Sequence, residues 1–311
     1  MSKEFDVVVV GAGIAGLSAA LAAARLARST LVLTGDTLGG HLLSIERIDG
    51  FPGFSEGVPG YDLCPIVQEQ ATEAGAEFAM ASVTSIERDG DSWRIVTPGE
   101  NYTARSVILA TGTHLRELGV PGESSFRGKG VSQCASCDAP LLGQQAVVVA
   151  GGGDSALQEA LTLAEHCSSV TIVHHGPTFT GQAAYRVLAE ANDKITALPN
   201  SEVTEILGAD AVQGARIRNT ETGATSVLDC AAVFGFIGLD PNSAFVGNPA
   251  ILDAAGLIVT DSAMRTSLKG LFAAGTVRAA STGRAAAAAG DGTSAALAAD
   301  RFLADGQWLA E

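Results

Sequence analysis

Two stretches of the 311-residue chain, about 140 residues apart, each read as strand, glycine turn, helix and strand. Together they predict an α/β fold with two Rossmann-like (three-layer ββα) domains. The first is FDVVVVGAGIAGLSAALAAARLARSTLVLTGD, starting at Phe5, and the second is QQAVVVAGGGDSALQEALTLAEHCSSVTIVHHG over 144–176. Composition is the third observation: 47% hydrophobic residues and 37 glycines suit two well-packed cores and leave little sequence for disorder.

Taken in order, Val7 to Val10 form an unbroken apolar run, as expected of a parallel strand buried on both faces. The Ala/Leu-rich residues 14–28 suit a helix packed on that strand, and 30–34 a second strand. Residues 78–112 predict a β meander closed by SVILATGT, and 201–240 repeat that layout, ending in AAVFGFIGLDPN. The last run, from Gly256, predicts strands and then a long alanine-rich helix. Alanine has the highest helix propensity, and its small side chain lets a helix approach a cofactor or partner closely.

Lys and Arg number 19 against 34 Asp and Glu, a formal net charge of −15. That sign argues against nucleic acid or an anionic membrane as partner. The apolar start, MSKEFDVVVVGAGIAG, is too short for a signal or transmembrane segment, so a cytoplasmic protein is expected. Five cysteines are an odd count in a large chain, which makes a structural disulfide framework a poor reading.

Gly11-Ala12-Gly13-Ile14-Ala15-Gly16 is GxGxxG directly after a strand and opening a helix. Gly11 permits the tight turn, Gly13 lets a pyrophosphate approach the backbone, and Gly16 allows close helix–strand packing. The helix N-terminus offers amides and a positive dipole end to the phosphates. No acid ends the second strand, where Asp36 lies two residues beyond Thr34, so the motif alone does not choose between NAD and FAD. Gly151-Gly152-Gly153-Asp154-Ser155-Ala156 repeats the arrangement. Between 171 and 182, however, there is no Arg, Lys, Asp or Glu to select a coenzyme ribose or its 2′-phosphate. His174 and His175 are poor substitutes for guanidinium groups, and a plain loop is the preferred reading.

Cys134 and Cys137 form a Cys-x-x-Cys pair in VSQCASCDAP, which reads as half a zinc site, a structural bridge or a redox dithiol. Zinc needs four ligands, and no second pair completes the set, so no metal is expected. A redox dithiol beside a nucleotide fold leads. Asp138 is placed to hold or relay the proton that thiol–disulfide exchange must move, with turn capping as its bland reading. Cys64, Cys167 and Cys230 read as buried small hydrophobes.

These segments resemble the low-molecular-weight thioredoxin reductase family over essentially the whole chain. The matching segments are GAGIAG at 11, TGDTLGGHL at 34, IDGFPGF at 48, ILATGT at 108, GVSQCASCDAP at 130, GGGDSA at 151 and the run from Gly270. The resemblance implies an FAD-containing homodimer. It places the FAD domain at 1–114 plus 243–311, split by an inserted NAD(P)H-like domain at 115–242 that carries the Cys-x-x-Cys. It also implies that Gly11, Gly13, Ala15 and Gly16 take the FAD pyrophosphate, with Thr34, Gly35, Gly39, Gly40, His41 and Leu42 along the cofactor. Thr111, Gly112, Gly275, Thr276, Arg284, Ala285 and Ala286 would complete the flavin site. Cys137 would face the flavin ring as the charge-transfer thiol, Cys134 would attack the substrate disulfide, and Asp138 would serve as acid/base.

Four positions depart from the family pattern. The His-Arg-Arg-x-x-x-Arg signature for NADPH falls at 174–180, where the chain reads HHGPTFT and lacks all three arginines. Each charge-assisted contact is worth about 1.5–3 kcal/mol, so NADPH binding is doubtful. Ala-Gly-Asp becomes Ala274-Gly275-Thr276, Arg-Gln-Ala becomes Arg284-Ala285-Ala286, and the glutamine of GGQL becomes His41. The expectation is therefore an FAD-dependent disulfide/dithiol oxidoreductase that is not efficiently driven by NADPH. Its partner would be a thioredoxin-like protein or a small dithiol or disulfide, with ferredoxin or a reduced flavin as donor. A dithiol oxidase passing electrons to oxygen, an ordinary NADPH-dependent reductase and a non-enzymatic flavin redox sensor are the competing readings.

Overall fold

The computed structural model describes residues 3–308. In chain order, β1 (Lys3–Val10), α1 (Ile14–Arg25) and β2 (Thr30–Leu33) come first. α2 (Gly60–Glu73), β3 (Glu77–Ala79), β4 (Ser85–Asp89), β5 (Ser92–Val96), β6 (Tyr102–Leu109) and β7 (Thr113–Leu115) follow. Next are β8 (Val131–Ser132), α3 (Ala135–Leu142), β9 (Ala146–Ala150), α4 (Asp154–His166), β10 (Ser169–Val173), α5 (Ala183–Glu190) and β11 (Ile195–Leu198). β12 (Ser201–Gly208), β13 (Val212–Asn219), β14 (Thr225–Asp229), β15 (Ala232–Gly235), β16 (Leu239–Pro241), β17 (Leu271–Ala273) and α6 (Ala285–Asp305) complete the chain. These elements fall into two compact units: one runs to His114 and resumes at Asp240, and the other is Leu115–Leu239.

In the first unit the sheet order is β3-β2-β1-β6-β5-β4, with β17 also paired to β6. β1 runs parallel to both neighbours, Val10 opposite Leu33 on one side and Leu109 on the other. Its valine run is explained by the two faces. Val7 and Val9 pack with α1 and α6, whereas Val8 and Val10 pack with Trp93, Ile95 and Tyr102. A strand with apolar layers on both sides has no polar alternation to show.

The structure changes three sequence expectations here. Residues 77–79 are not part of the meander: β3 runs parallel to β2, and only β4, β5 and β6 are antiparallel. β2 is buried throughout, so the hydrogen-bonding groups on its outer edge need a partner strand. The helix expected over 14–28 stops at Arg25, where Ala27 takes a left-handed conformation (φ 58°) and Arg28 N bonds back to Ala23 O. GLIVTD forms no named strand and is held by single bridges from Ile258 to Leu252 and to Arg278. The alanine-rich helix is present, and its small residues serve contact with α1: a Cβ on Gly292 would fall 1.9 Å from Ala15 O.

In the second unit β11-β10-β9-β15-β8 form a sheet that is parallel throughout, beside the antiparallel β12-β13-β14 meander. Val147 and Val149 face the α3/α4 layer, and Val148 and Ala150 face the meander layer. Asp240–Asn242 cluster with the first unit rather than with the 115–242 segment expected as an insert. Asn242 explains this, because its backbone N donates to Gly112 O and its side-chain amide to Thr111 O.

Candidate active site and cofactor cradle

The first unit gathers its glycine-rich turns into one cradle. At the β1–α1 turn Gly11 has φ 104°, and a Cβ there would sit 2.4 Å from Ala110 O. A Cβ on Gly16 would sit 1.9 Å from Gly11 O, so both positions exclude any side chain. Gly13 differs: a Cβ would meet nothing within 4 Å, and as N-cap of α1 it leaves the helix start without a side-chain cap. An open face in front of uncapped amides is where a pyrophosphate fits. Gly39 donates its N–H to Ala12 O at 2.8 Å, and a Cβ on Gly40 would fall 3.3 Å from Gly13 Cα.

Two more turns reach the same place. Gly275 lies against Ala15, a Cβ there falling 2.8 Å from the Ala15 methyl. Thr276 Oγ1 accepts from Thr113 Oγ1 at 3.2 Å and lies 3.4 Å from where a Gly112 Cβ would be. Thr111 Oγ1 donates to Asn242 O at 2.7 Å. Thr34 directly follows β2 with its N–H on Ala79 O, and its hydroxyl is turned onto Gly35 O. His41 and Leu42 occupy the short turn Gly40–Ser44, where His41 is exposed. Arg284 stands at the N-cap position of α6 without a side-chain cap bond, and the first helical residues are Ala285 and Ala286. Thus Gly11, Gly13, Ala15, Gly16, Gly39, Gly40, Gly112, Gly275 and Thr276 are brought together by direct contact. The cradle fits an extended dinucleotide such as FAD.

Sequence reasoning missed three residues that support this cradle. Asn242 ties the Thr111–Gly112 turn. Asp291 of α6 accepts the Gly275 N–H at 3.2 Å and pairs with the buried Arg278. No local signal marks them, since their partners lie 13 to 131 residues away.

The second unit carries the dithiol. Cys134 is the N-cap of α3, Cys137 lies in its first turn, and the two form a disulfide with Cα atoms 5.4 Å apart. Cys134 is half-buried and Cys137 exposed. Ser132 Oγ accepts the Cys134 N–H at 3.1 Å, and Ser136 Oγ stands 3.6 Å from Cys134 Sγ. Asp138 is half-buried in the first turn of α3, with its N–H donated to Cys134 O. The buried Glu159, reaching from α4, accepts the Ala135 N–H at 2.8 Å. The other cysteines are buried, and desolvation pushes the Cys64 thiol up to about 11 and that of Cys230 up to about 12. Only the Cys134–Cys137 pair is therefore placed for exchange. Among the described residues no cluster of three or more His, Cys, Asp or Glu is placed to hold a metal, and no helix is long and apolar enough to cross a membrane.

The second glycine turn is crowded by its own chain. Gly151 (φ 133°) backs onto Phe236 O, and a Cβ on Gly152 would fall 3.0 Å from the His174 side chain. Thr180 N and Gly181 N both donate to Gly152 O, and Gln182 N donates to Asp154 Oδ1 at 2.6 Å. The His174 ring, 4% exposed, stacks on Phe179 with centroids 4.5 Å apart. Burial, and then the neighbouring His175, hold the His174 pKa below its ordinary value. The first Arg or Lys after β10 is Arg186 on α5, whose Nε is buried without a hydrogen-bond partner.

Comparison with known proteins agrees with this geometry. The family model described as pyridine nucleotide-disulphide oxidoreductase matches residues 5–292. The chain is 41% identical over 301 residues to the thioredoxin reductase of Mycolicibacterium smegmatis, covering 96% of this chain and 97% of that protein. It is similar in structure to Lactococcus lactis thioredoxin reductase, with TM-score 0.94 and 37% identity over 97% of this chain and 99% of the other. The T. acidophilum thioredoxin reductase gives TM-score 0.92 at 35% identity over 96% of this chain and 99% of that one.

Proposed function

The chain belongs to the thioredoxin reductase family, a group of FAD-dependent disulfide oxidoreductases, and from that premise we propose that this member works without efficient use of NADPH. The reading is that electrons pass between FAD in the first unit and the Cys134–Cys137 pair in the second, with ferredoxin or a reduced flavin as donor. A thioredoxin-like protein or a small disulfide is the acceptor, and the working form is a homodimer.

One observation carries the NADPH part. At the end of β10, where a 2′-phosphate needs cations, the chain has a buried neutral His174 stacked on Phe179, and residues 171–182 hold no Lys or Arg. Thr180, Gly181 and Gln182 already fold over the glycine turn.

Bound FAD supplies the two-electron couple; the remaining chemistry belongs to the chain. With the pair reduced, the Cys134 thiolate attacks one sulfur of the substrate disulfide and releases the other as a thiolate, which takes up a proton. The Cys137 thiolate then attacks Cys134 Sγ. This restores the Cys134–Cys137 disulfide and releases the second substrate thiol. The substrate gains two electrons and two protons, and the pair loses them. Asp138, one turn along α3, is proposed to take and return the proton at the sulfurs.

The test is anaerobic rapid mixing of the flavin-loaded protein with NADPH, NADH, reduced ferredoxin or dithiols. Bleaching of the flavin by reduced ferredoxin, with slow or no bleaching by NADPH, is expected. Rapid bleaching at micromolar NADPH would restore the ordinary reductase. Bleaching by dithiols alone, reversed by oxygen, would favour the dithiol oxidase.

A further inference from the structure

Glu159 has no role in the exchange described above, yet its side chain holds the dithiol turn directly. Its Oε2 accepts the Ala135 N–H at 2.8 Å, and Ala135 is the residue directly after Cys134 and two before Cys137. The side chain comes from the middle of α4, the helix that begins at the second glycine turn, and Glu159 is 7% exposed.

Physical chemistry gives this contact a sign. A cysteine at a helix N-terminus meets unpaired amides and the positive end of the helix dipole, which stabilise its thiolate. Here the amide of the first helical residue is already taken, by an acid rather than a neutral acceptor. A thiolate forming on the half-buried Cys134 meets both a used donor and the buried carboxylate that holds the next residue. Where the reduced pair is ionised, a destabilised thiolate destabilises the reduced form, and a pair whose reduced form is destabilised is the stronger reductant.

We propose that Glu159 is a positioning residue for disulfide exchange: it pins the start of α3 to α4 through Ala135 N and biases the Cys134–Cys137 pair toward the disulfide. The proposal rests on the reading of that pair as the working dithiol. The titratable groups on the two helices concerned are Asp138 on α3 and, on α4, Asp154, Glu159, Glu165 and His166, while α5, packed against α4, carries Tyr185, Arg186 and Glu190, and Lys194 donates to Ala164 O of α4. Of these, Asp138 shares the first turn of α3 with Cys137, whereas Asp154, Glu165 and His166 lie at the two ends of α4, with Asp154 engaged by Gln182 N.

The test equilibrates flavin-loaded protein with mixtures of reduced and oxidised dithiothreitol at about pH 9.5, above the ordinary thiol midpoint, so that the reduced pair is ionised. In these mixtures the disulfide accepts two electrons, dithiothreitol closes to its cyclic disulfide, and its protons pass to solvent. Thiols are then trapped and counted. Glu159→Gln keeps an acceptor for Ala135 N and removes the charge. Its equilibrium should move toward the dithiol by about tenfold, equivalent to about 30 mV for a two-electron couple. The pH midpoint for alkylation of the reduced pair should fall with it. Glu159→Asp, which keeps the charge, should stay nearer to wild type than Glu159→Gln does. A change in Glu159→Gln below about threefold, or toward the disulfide, overturns the proposal. Wild-type protein supplies an independent check if the variant does not fold. Its alkylation midpoint should lie at or above the ordinary thiol value of about 8.5, and a midpoint below about 7 overturns the proposal. Failure of the wild-type disulfide to exchange with dithiothreitol at all would instead remove the functional reading.

Discussion

Arg278 and Asp291 form a nearly buried ion pair: Nε and Nη2 of the guanidinium stand 3.2 and 3.1 Å from Oδ2, and the side chains are 9% and 14% exposed. The same Oδ2 accepts the Gly275 N–H, and Arg278 Nη1 donates to Thr260 Oγ1. This pair therefore holds the turn that presents Gly275 and Thr276 to the cradle.

Breaking one side of a buried pair leaves the other charge uncompensated. Arg278→Met is expected to lower unfolding free energy by about 3 kcal/mol. Denaturant titration of the flavin-loaded protein measures it, and the double variant Arg278→Met/Asp291→Leu should recover much of the loss.

Gly13 and Gly16 predict opposite failures. Gly16→Ala must push a methyl into Gly11 O, so the fold itself should suffer. Gly13→Ala meets open space, so the apoprotein should melt near wild type while the purified variant loses its yellow colour. Flavin content against melting temperature separates the two cases. A Gly13→Ala protein that keeps its flavin would remove the pyrophosphate from that face.

Restoring cations should restore the pyridine nucleotide. The triple variant His175→Arg/Gly176→Arg/Thr180→Arg places guanidinium groups where the family pattern has them. Each charge-assisted contact is worth about 1.5–3 kcal/mol, so bleaching of the flavin by NADPH should quicken at least tenfold. Anaerobic rapid mixing reads it. No gain would mean that the crowded glycine turn, rather than missing charge, excludes NADPH.

His174 sets a pH limit. Its folded pKa lies below the ordinary 6.5 because burial disfavours the charged ring. The unfolded chain therefore binds the proton first as pH falls, so stability is full above about 6.5 and is lost below it. The melting temperature should fall on acidification through that window, and His174→Asn should flatten the fall. An unchanged profile in the variant would assign the acid loss to other groups.

Serine variants assign the two sulfurs. Cys134→Ser should enhance a long-wavelength flavin–thiolate band, and Cys137→Ser should abolish it. The opposite spectra would exchange their roles.

Much of this was open to reading from residues alone because the signals are local. A valine run of four, glycines spaced for a tight turn before a helix, and two cysteines three apart each constrain their own neighbourhood through sterics and reach. Element ends were less legible. Nothing in ARLARST marks Arg25 as the last helical residue, since the stop is a left-handed Ala27 rather than a glycine. The parallel placement of β3 was equally hidden, because it answers the needs of the buried edge of β2 rather than any pattern in EFA.

The sequence by itself determined the two strand–turn–helix–strand units, the glycine turns that exclude side chains and the chemistry available to Cys134 and Cys137. Tertiary structure alone decided which distant groups serve them: Asn242 on Thr111, Asp291 on Gly275, His174 against Gly152 and Glu159 on Ala135. The physical reason is range. Backbone sterics and hydrophobic period act over a few residues and leave a trace in the string. A buried charge or hydrogen bond depends on which surfaces the fold presses together, and the chain carries no local record of that.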